Sequence, residues 1–328
     1  MKAIVQDRYG SSDVLELKDV EPPPVGDDEV LVRVGAAAVN AADWHIMRGD
    51  PYVARLSIGL SRPKAKIRGR DFAGRVAAVG KAVQRFQPGD EVYGEADGAF
   101  AEYICVGQDV VERKPANLTF EQAAAVPLAG STALVGLRDL AKIKLDQQVL
   151  INGASGGVGT FAVQLAKAFG ASVTGVCSTR NVELVTSLGA ADVIDYKQQD
   201  FTRTGQRYDV IFDLVGNRSL GDLKRALTPD GTLLLCGGGV SNGGSFLGPL
   251  GLLIKGTLVS KFGRQRMIPF VVKQKSEYLA ALRELIEAGK VTPAIDRTYP
   301  LSDAAEAIRY LELDHARAKV VVTVSPDM

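Results

Sequence analysis

From residue 148 onward, short apolar strands alternate with helical segments, and no other feature of this 328-residue chain constrains its fold as tightly. Strands are expected at 149–152, 172–176, 193–194, 210–214 and 232–236, with helices at 158–169, 181–188 and 220–227 between them. This order predicts an α/β fold, a doubly wound parallel sheet with helices on both faces. The first turn of the series reads Ile151-Asn152-Gly153-Ala154-Ser155-Gly156-Gly157-Val158-Gly159. It leaves a strand and opens a helix, with glycines at 153, 156 and 159 in GxxGxxG spacing. Glycine suits a tight turn, a backbone that approaches a pyrophosphate, and a helix packed close to its strand. The N–H groups that start the helix then face the anion. A ligand-free glycine-rich turn is the plainer alternative, and the continuing strand–helix alternation argues against it.

The second signal stands about twenty residues beyond the glycines, where a dinucleotide fold places its ribose selector. An Asp or Glu there would hold the ribose 2′-hydroxyl of NAD. The chain has Cys177-Ser178-Thr179-Arg180 instead. Two hydroxyls and a guanidinium suit a 2′-phosphate, so the expected cofactor is NADPH.

The remaining sequence has a different texture. Strands are expected at 29–34, 72–79, 91–93 and 99–106, punctuated by Pro22-Pro23-Pro24, Pro88-Gly89 and Asp97-Gly98. These predict a compact, antiparallel, barrel-like domain. Helices follow at 120–126, with Thr119 as N-cap, and at 130–141. Amphipathic helices at 278–288 and 304–313 precede a β-branched strand at 319–324, which needs a sheet to join. The first domain is the expected host. The organisation is therefore 1–122 plus 267–328 around a dinucleotide-binding domain at 123–266.

The chain has 39 Lys and Arg against 38 Asp and Glu, so its net charge of +1 gives no electrostatic case for nucleic acid. No stretch reaches the ~18 apolar residues of a membrane span. The first ten residues read as a strand and turn rather than an export signal. Three dispersed cysteines, Cys105, Cys177 and Cys236, offer no disulfide framework and fit a reducing cytoplasm.

Several further segments specify a family. They are Val39-Asn40-Ala41-Ala42-Asp43, Gly69-Arg70-Asp71-Phe72-Ala73-Gly74, Pro88-Gly89-Asp90-Glu91-Val92, Gly98-Ala99-Phe100-Ala101-Glu102-Tyr103 and the run from Pro127 to Leu134. With the glycine-rich turn, they resemble the medium-chain dehydrogenase/reductase superfamily, and more closely its zinc-independent quinone oxidoreductase branch, which includes ζ-crystallin. The resemblance covers essentially the whole chain. It implies a GroES-like catalytic domain into which the Rossmann domain is inserted, with the active site in the cleft between. It implies that Ser155, Gly157 and Val158 meet the pyrophosphate, that Ser178, Arg180 and Tyr196 hold the 2′-phosphate end, and that Thr132 lies near the nicotinamide. Val215, Gly216, Gly237 and Gly238 would border the cofactor, and Asn40 and Tyr52 would lie near the substrate. It also implies a homodimer joined through the Rossmann sheet edge, with 257–261 as a candidate edge strand.

In zinc-dependent relatives a Cys stands where this chain has Asn40, and a His-Glu pair where it has Arg70-Asp71. Amide and guanidinium cannot replace thiolate and imidazole on Zn²⁺, so no metal is expected. Without a Lewis acid, hydride transfer to an already electrophilic quinone or α,β-unsaturated carbonyl is the expected chemistry, with Asn40 or Tyr52 donating to the oxyanion. His45, beside Trp44, reads as packed rather than catalytic. The segment 246–270 reads equally as a flap over the site or as a dimer contact. Two other readings stay open: a zinc-dependent alcohol dehydrogenase, and a non-catalytic NADPH-binding structural or regulatory protein.

Overall fold

The computed structural model describes residues 1–236, 264–313 and 317–327. The chain divides into two compact units, Met1–Ser131 with Lys273–Met328, and Thr132–Val272. The changes of unit fall at 131/132 and 272/273, where the sequence reading put them at 122/123 and 266/267.

Among the described residues of the second unit, six strands form a parallel sheet in the order Asp192–Asp195, Ser172–Cys177, Gln148–Asn152, Tyr208–Asp213, Leu227–Leu235 and Arg266–Pro269. Numbered along the chain, this is the 3-2-1-4-5-6 order of a doubly wound dinucleotide fold. Val149, Leu150 and Ile151 are wholly buried, as a central strand covered on both faces requires. The strand Tyr208–Asp213 lies on the other side of Gln148–Asn152 from Ser172–Cys177, so the strand order reverses there. Crevices at such reversals hold ligands, and the glycine-rich turn opens at this one. The core of the unit joins Leu150, Val176, Ile211, Leu223, Leu233 and Met267.

Among the described residues the sheet ends on Arg266–Pro269. The candidate edge strand at 257–261, residues 246–263 of the apolar segment, Gly237, Gly238 and His315 lie outside the described residues. The helix expected at 130–141 is an α-helix, Pro127–Leu134, continued by a π-helix, Val135–Ala141.

The first unit is built on Glu29–Val39, an 11-residue strand longer than its alternating stretch predicted. Its second half, Ala36–Val39, is buried on both sides and does not alternate. Asp71–Val79 pairs with it antiparallel on one side. On the other side lies Lys319–Thr323, so the last strand finds its sheet in this unit. Ile295–Pro300 extends the sheet beyond it, a strand whose polar sequence gave no signal. The strand expected at 99–106 is confined to Tyr103–Gly107. Thr119 caps Phe120–Ala124 in a capping box with Gln122. No helix among the described residues is long and apolar enough to cross a membrane.

Candidate active site

The three spaced glycines answer three different demands. Gly153 has φ +90°, the left-handed region that glycine tolerates. A Cβ on Gly159 would stand 2.1 Å from the carbonyl oxygen of Gly153, so this glycine lets the helix press against the turn. Gly156 is different. It has extended backbone, φ −81° and ψ 175°, and its Cβ would meet only the Gly153 oxygen, at 3.4 Å. Among the described residues nothing forbids a side chain there. Gly156 is also the N-cap of the 12-residue helix Gly157–Ala168, and no side chain caps that end. The N–H groups of Gly157, Val158 and Gly159 open this helix, and the first-turn N–H groups of any helix lack intrahelical partners. An uncapped helix start beside an open cradle fits a pyrophosphate.

Asn181, which the sequence reading passed over, organises the polar end of this site. It is buried, and its Nδ2 donates to Ser155 Oγ at 3.0 Å and to Ser178 Oγ at 3.3 Å. Both hydroxyls therefore accept from the amide, and each keeps its own proton for an outside acceptor. The signal available was a single polar residue next to Arg180, too common to single out. Arg180 and Thr179 are exposed in the short 3₁₀ turn Thr179–Asn181. Tyr196 is 48% exposed and follows the neighbouring strand Asp192–Asp195.

That neighbouring strand brings a carboxylate to the loop from a position outside the expected ribose-selector spacing. Thr179 Oγ1 donates to Asp195 Oδ2 at 2.7 Å. Gln198 Nε2 donates to the same oxygen, and the backbone N–H of Lys197 to the other. The Thr179 hydrogen bond, joined by the other donors and opposed by burial, holds the Asp195 carboxyl below its ordinary value. The Thr179 proton, expected to face a 2′-phosphate, is thus turned to Asp195.

Val215 and Gly216 follow the next strand. Their N–H groups both donate to Asp213 Oδ1, at 3.1 and 3.0 Å, and Asn152 Nδ2 donates to the same oxygen at 2.9 Å. The loop is held by this buried carboxylate, which takes up the N–H groups of both Val215 and Gly216. Thr132 is buried in the helix Pro127–Leu134.

In the first unit, Asn40 ends the strand Glu29–Val39 and caps the helix Ala41–Arg48. Its N–H donates to Asp43 Oδ2 at 2.7 Å, and its Oδ1 accepts from Lys319 Nζ. Lys319 also pairs with Asp71 Oδ2 at 3.2 Å, with both side chains almost wholly buried. Arg70 pairs with Glu95 at 2.9 Å and with Asp97 at 3.6 Å. Among the described residues no group of His, Cys, Asp and Glu side chains is arranged to hold a metal ion. At the zinc-ligand positions stand an amide and a guanidinium, with a lysine beside them, and this donor set does not fit Zn²⁺. Tyr52 is 45% exposed, with the Arg55 guanidinium 4.8 Å from its ring centre. His45 stacks on Trp44 and its Nδ1 lies 2.9 Å from the Asp50 carbonyl oxygen; burial lowers its pKa. All three thiols are pushed up by burial, Cys236 to about 12 and Cys105 and Cys177 to about 11, so none is an activated nucleophile.

Burial also pushes the Asp43 carboxyl up to about 7, against the Asn40 N–H and the Arg70 charge. Glu95 rises to about 7 through burial and the Asp71 charge, against Arg70. Both folded values lie above the unfolded ones, so the folded state binds these protons more tightly. Their contribution to stability is full below pH ~4 and is lost as pH rises through ~7. Asp43→Asn should flatten the decline in melting temperature between those limits, since its amide oxygen still caps Asn40 N–H. An unchanged slope in thermal scans across pH would show that Asp43 titrates normally.

Comparison with known proteins agrees with this architecture. Residues 26–116 match the family model described as alcohol dehydrogenase GroES-like domain, and 188–322 the one described as zinc-binding dehydrogenase. The chain is 35% identical to 2-methylene-furan-3-one reductase of Solanum lycopersicum, over 99% of this chain and 80% of the relative. It is equally similar, with the same coverage, to NADPH-dependent alkenal/one oxidoreductase, chloroplastic, of Arabidopsis thaliana. Its fold matches the quinone oxidoreductase from Coxiella burnetii with a TM-score of 0.84, at 33% identity and 99% coverage of both chains. The Escherichia coli quinone oxidoreductase complexed with NADPH also gives 0.84, at 27% identity, over 99% of this chain and 100% of that one.

Proposed function

The chain belongs to the medium-chain dehydrogenase/reductase superfamily, and we propose that it is an NADPH-dependent reductase of quinones or α,β-unsaturated carbonyls that works without metal. One observation carries the metal-independent reading: the zinc-ligand positions hold Asn40 and Arg70, and a buried Lys319–Asp71 pair lies beside them. The relatives named for alkenal/one and quinone reduction support the acceptor class. The relative named for NADPH, with Ser178 and Arg180 in the ribose loop, supports the cofactor.

NADPH, when bound, would supply a hydride, two electrons with one proton, for the acceptor, and solvent would supply the remaining proton. The chain's own residues bind and orient. Gly153, Ser155, Gly156, Gly157, Val158 and Gly159 cradle the pyrophosphate; Ser178 and Arg180, flanked by Thr179 and Tyr196, hold the 2′-phosphate. Thr132, Val215 and Gly216 border the rest of the cofactor. Asn40 donates an amide N–H to the oxygen on which charge develops, the group most able to lower the barrier where no Lewis acid acts. Tyr52 lies against the substrate. The acceptor is small and uncharged, and the protein is a cytoplasmic homodimer; its three free cysteines support a reducing compartment. The test is transfer of deuterium from labelled NADPH to a carbon of an enone product, set out at the end of the Discussion.

A further inference from the structure

We infer that Lys319 is a positioning residue for Asn40: it grips the amide oxygen so that the amide N–H groups face away from it, towards the acceptor. This rests on the reading of Asn40 as the oxyanion donor.

The topology makes the contact. Three adjacent strands end together: Lys319–Thr323, Glu29–Val39 and Asp71–Val79. Val320 pairs with Val39, which sets Lys319 beside Asn40 one step further on. Asp71 pairs with Ala38 from the other side. Lys319 is therefore brought to Asn40 from 279 residues away in sequence. Its Nζ lies 2.5 Å from Asn40 Oδ1 and 3.2 Å from Asp71 Oδ2. The second oxygen of Asp71 accepts the Leu128 N–H at 3.1 Å, so the carboxylate is fixed in turn.

A lysine this deeply buried is rare, and pairing alone does not explain it. Well-packed apolar residues commonly replace buried ion pairs with no loss of stability. What an apolar residue could not do is choose an amide orientation. With its oxygen on the ammonium, Asn40 cannot flip without presenting N–H groups to a cation. Among the described residues, its Nδ2 has as acceptor the Ala38 carbonyl oxygen at 3.5 Å, beyond the range of a good hydrogen bond. The amide keeps its donors, and a cation on its oxygen polarises them further.

Lys319→Gln keeps a donor but removes the charge. Lys319→Gln with Asp71→Asn leaves no orphaned charge, so it remains informative should the single variant fold poorly. Both should keep NADPH affinity within about two-fold. Each should slow single-turnover hydride transfer by about ten-fold or more, less than the roughly hundred-fold or greater loss on removing an oxyanion donor outright. Asn40→Ala should cost about a hundred-fold, and adding Lys319→Gln to it should cost little more, since the two act as one unit. In protein without cofactor, the Asn40 side-chain amide resonance, identified by its loss in Asn40→Ala, should shift and exchange faster with solvent in Lys319→Gln. Wild-type rates in folded Lys319 variants, multiplying effects in the double variant, or an unmoved amide resonance would overturn the inference. Full activity of Asn40→Ala would instead overturn the role of Asn40 on which it rests, while the amide resonance still reports whether Lys319 holds the side chain.

Discussion

Gly156→Val should abolish measurable NADPH binding while the melting temperature stays close to that of the wild type. The reason is the difference between this glycine and its neighbours. Gly156 has extended backbone open to any residue, and among the described residues a Cβ there meets only the Gly153 oxygen, at ordinary contact distance. A valine would stand in the cradle at the uncapped helix start, where a pyrophosphate must approach the backbone. Affinity should fall by about a hundred-fold or more, since the close backbone contacts go together. Gly159→Val is the contrast. Its Cβ would lie 2.1 Å from the Gly153 oxygen, so that variant should be destabilised as well as unable to bind. On spacing alone the two glycines look interchangeable, with both substitutions leaving the fold intact; the close helix–turn contact corrects that for Gly159. Fluorescence titration and thermal denaturation of both variants separate the two cases. Wild-type affinity in a folded Gly156→Val protein would show that the pyrophosphate sits elsewhere.

Arg180→Ala should weaken NADPH by about 1.5–3 kcal/mol, one to two orders of magnitude in Kd, the scale of a hydrogen bond to a charged group. NADH should bind almost unchanged, because it lacks the 2′-phosphate. The geometry sharpens this expectation. The Thr179 proton goes to Asp195, so on the proposed reading Arg180 and Ser178 are the side chains left to meet the 2′-phosphate. Equal losses for the two cofactors would contradict the assignment of this loop to the 2′-phosphate.

The parallel sheet was legible because its signals are local. Apolar runs such as Val149–Ile151 and the glycine-rich turn lie in order along the chain, and each element announces itself within a few residues. Helix starts were legible where a side chain caps them, as at Thr119. Ile295–Pro300 was not, because its residues are mostly exposed or half-buried and give no apolar alternation. The site was legible as far as its residues share a motif. Asn181 acts through two hydroxyls, one of them 26 residues away, and Asp195 reaches Thr179 from the next strand. Lys319 touches Asn40 only because the chain returns to its first sheet. Partners set by tertiary register leave no spacing to read. The same holds for Asp213, an acidic end to an apolar strand whose purpose appears only with the loop it ties.

The account's central claim is hydride delivery from NADPH to an electrophilic acceptor without metal. NADPH deuterated at the transferring position, supplied with quinones, enones, enals, simple aldehydes and alcohols in the presence of a strong chelator, tests it most directly. The account predicts that quinones or enones are turned over at the same rate with and without chelator, and that an enone product carries the label on carbon. Turnover confined to simple aldehydes and alcohols, and lost on chelation, would contradict it.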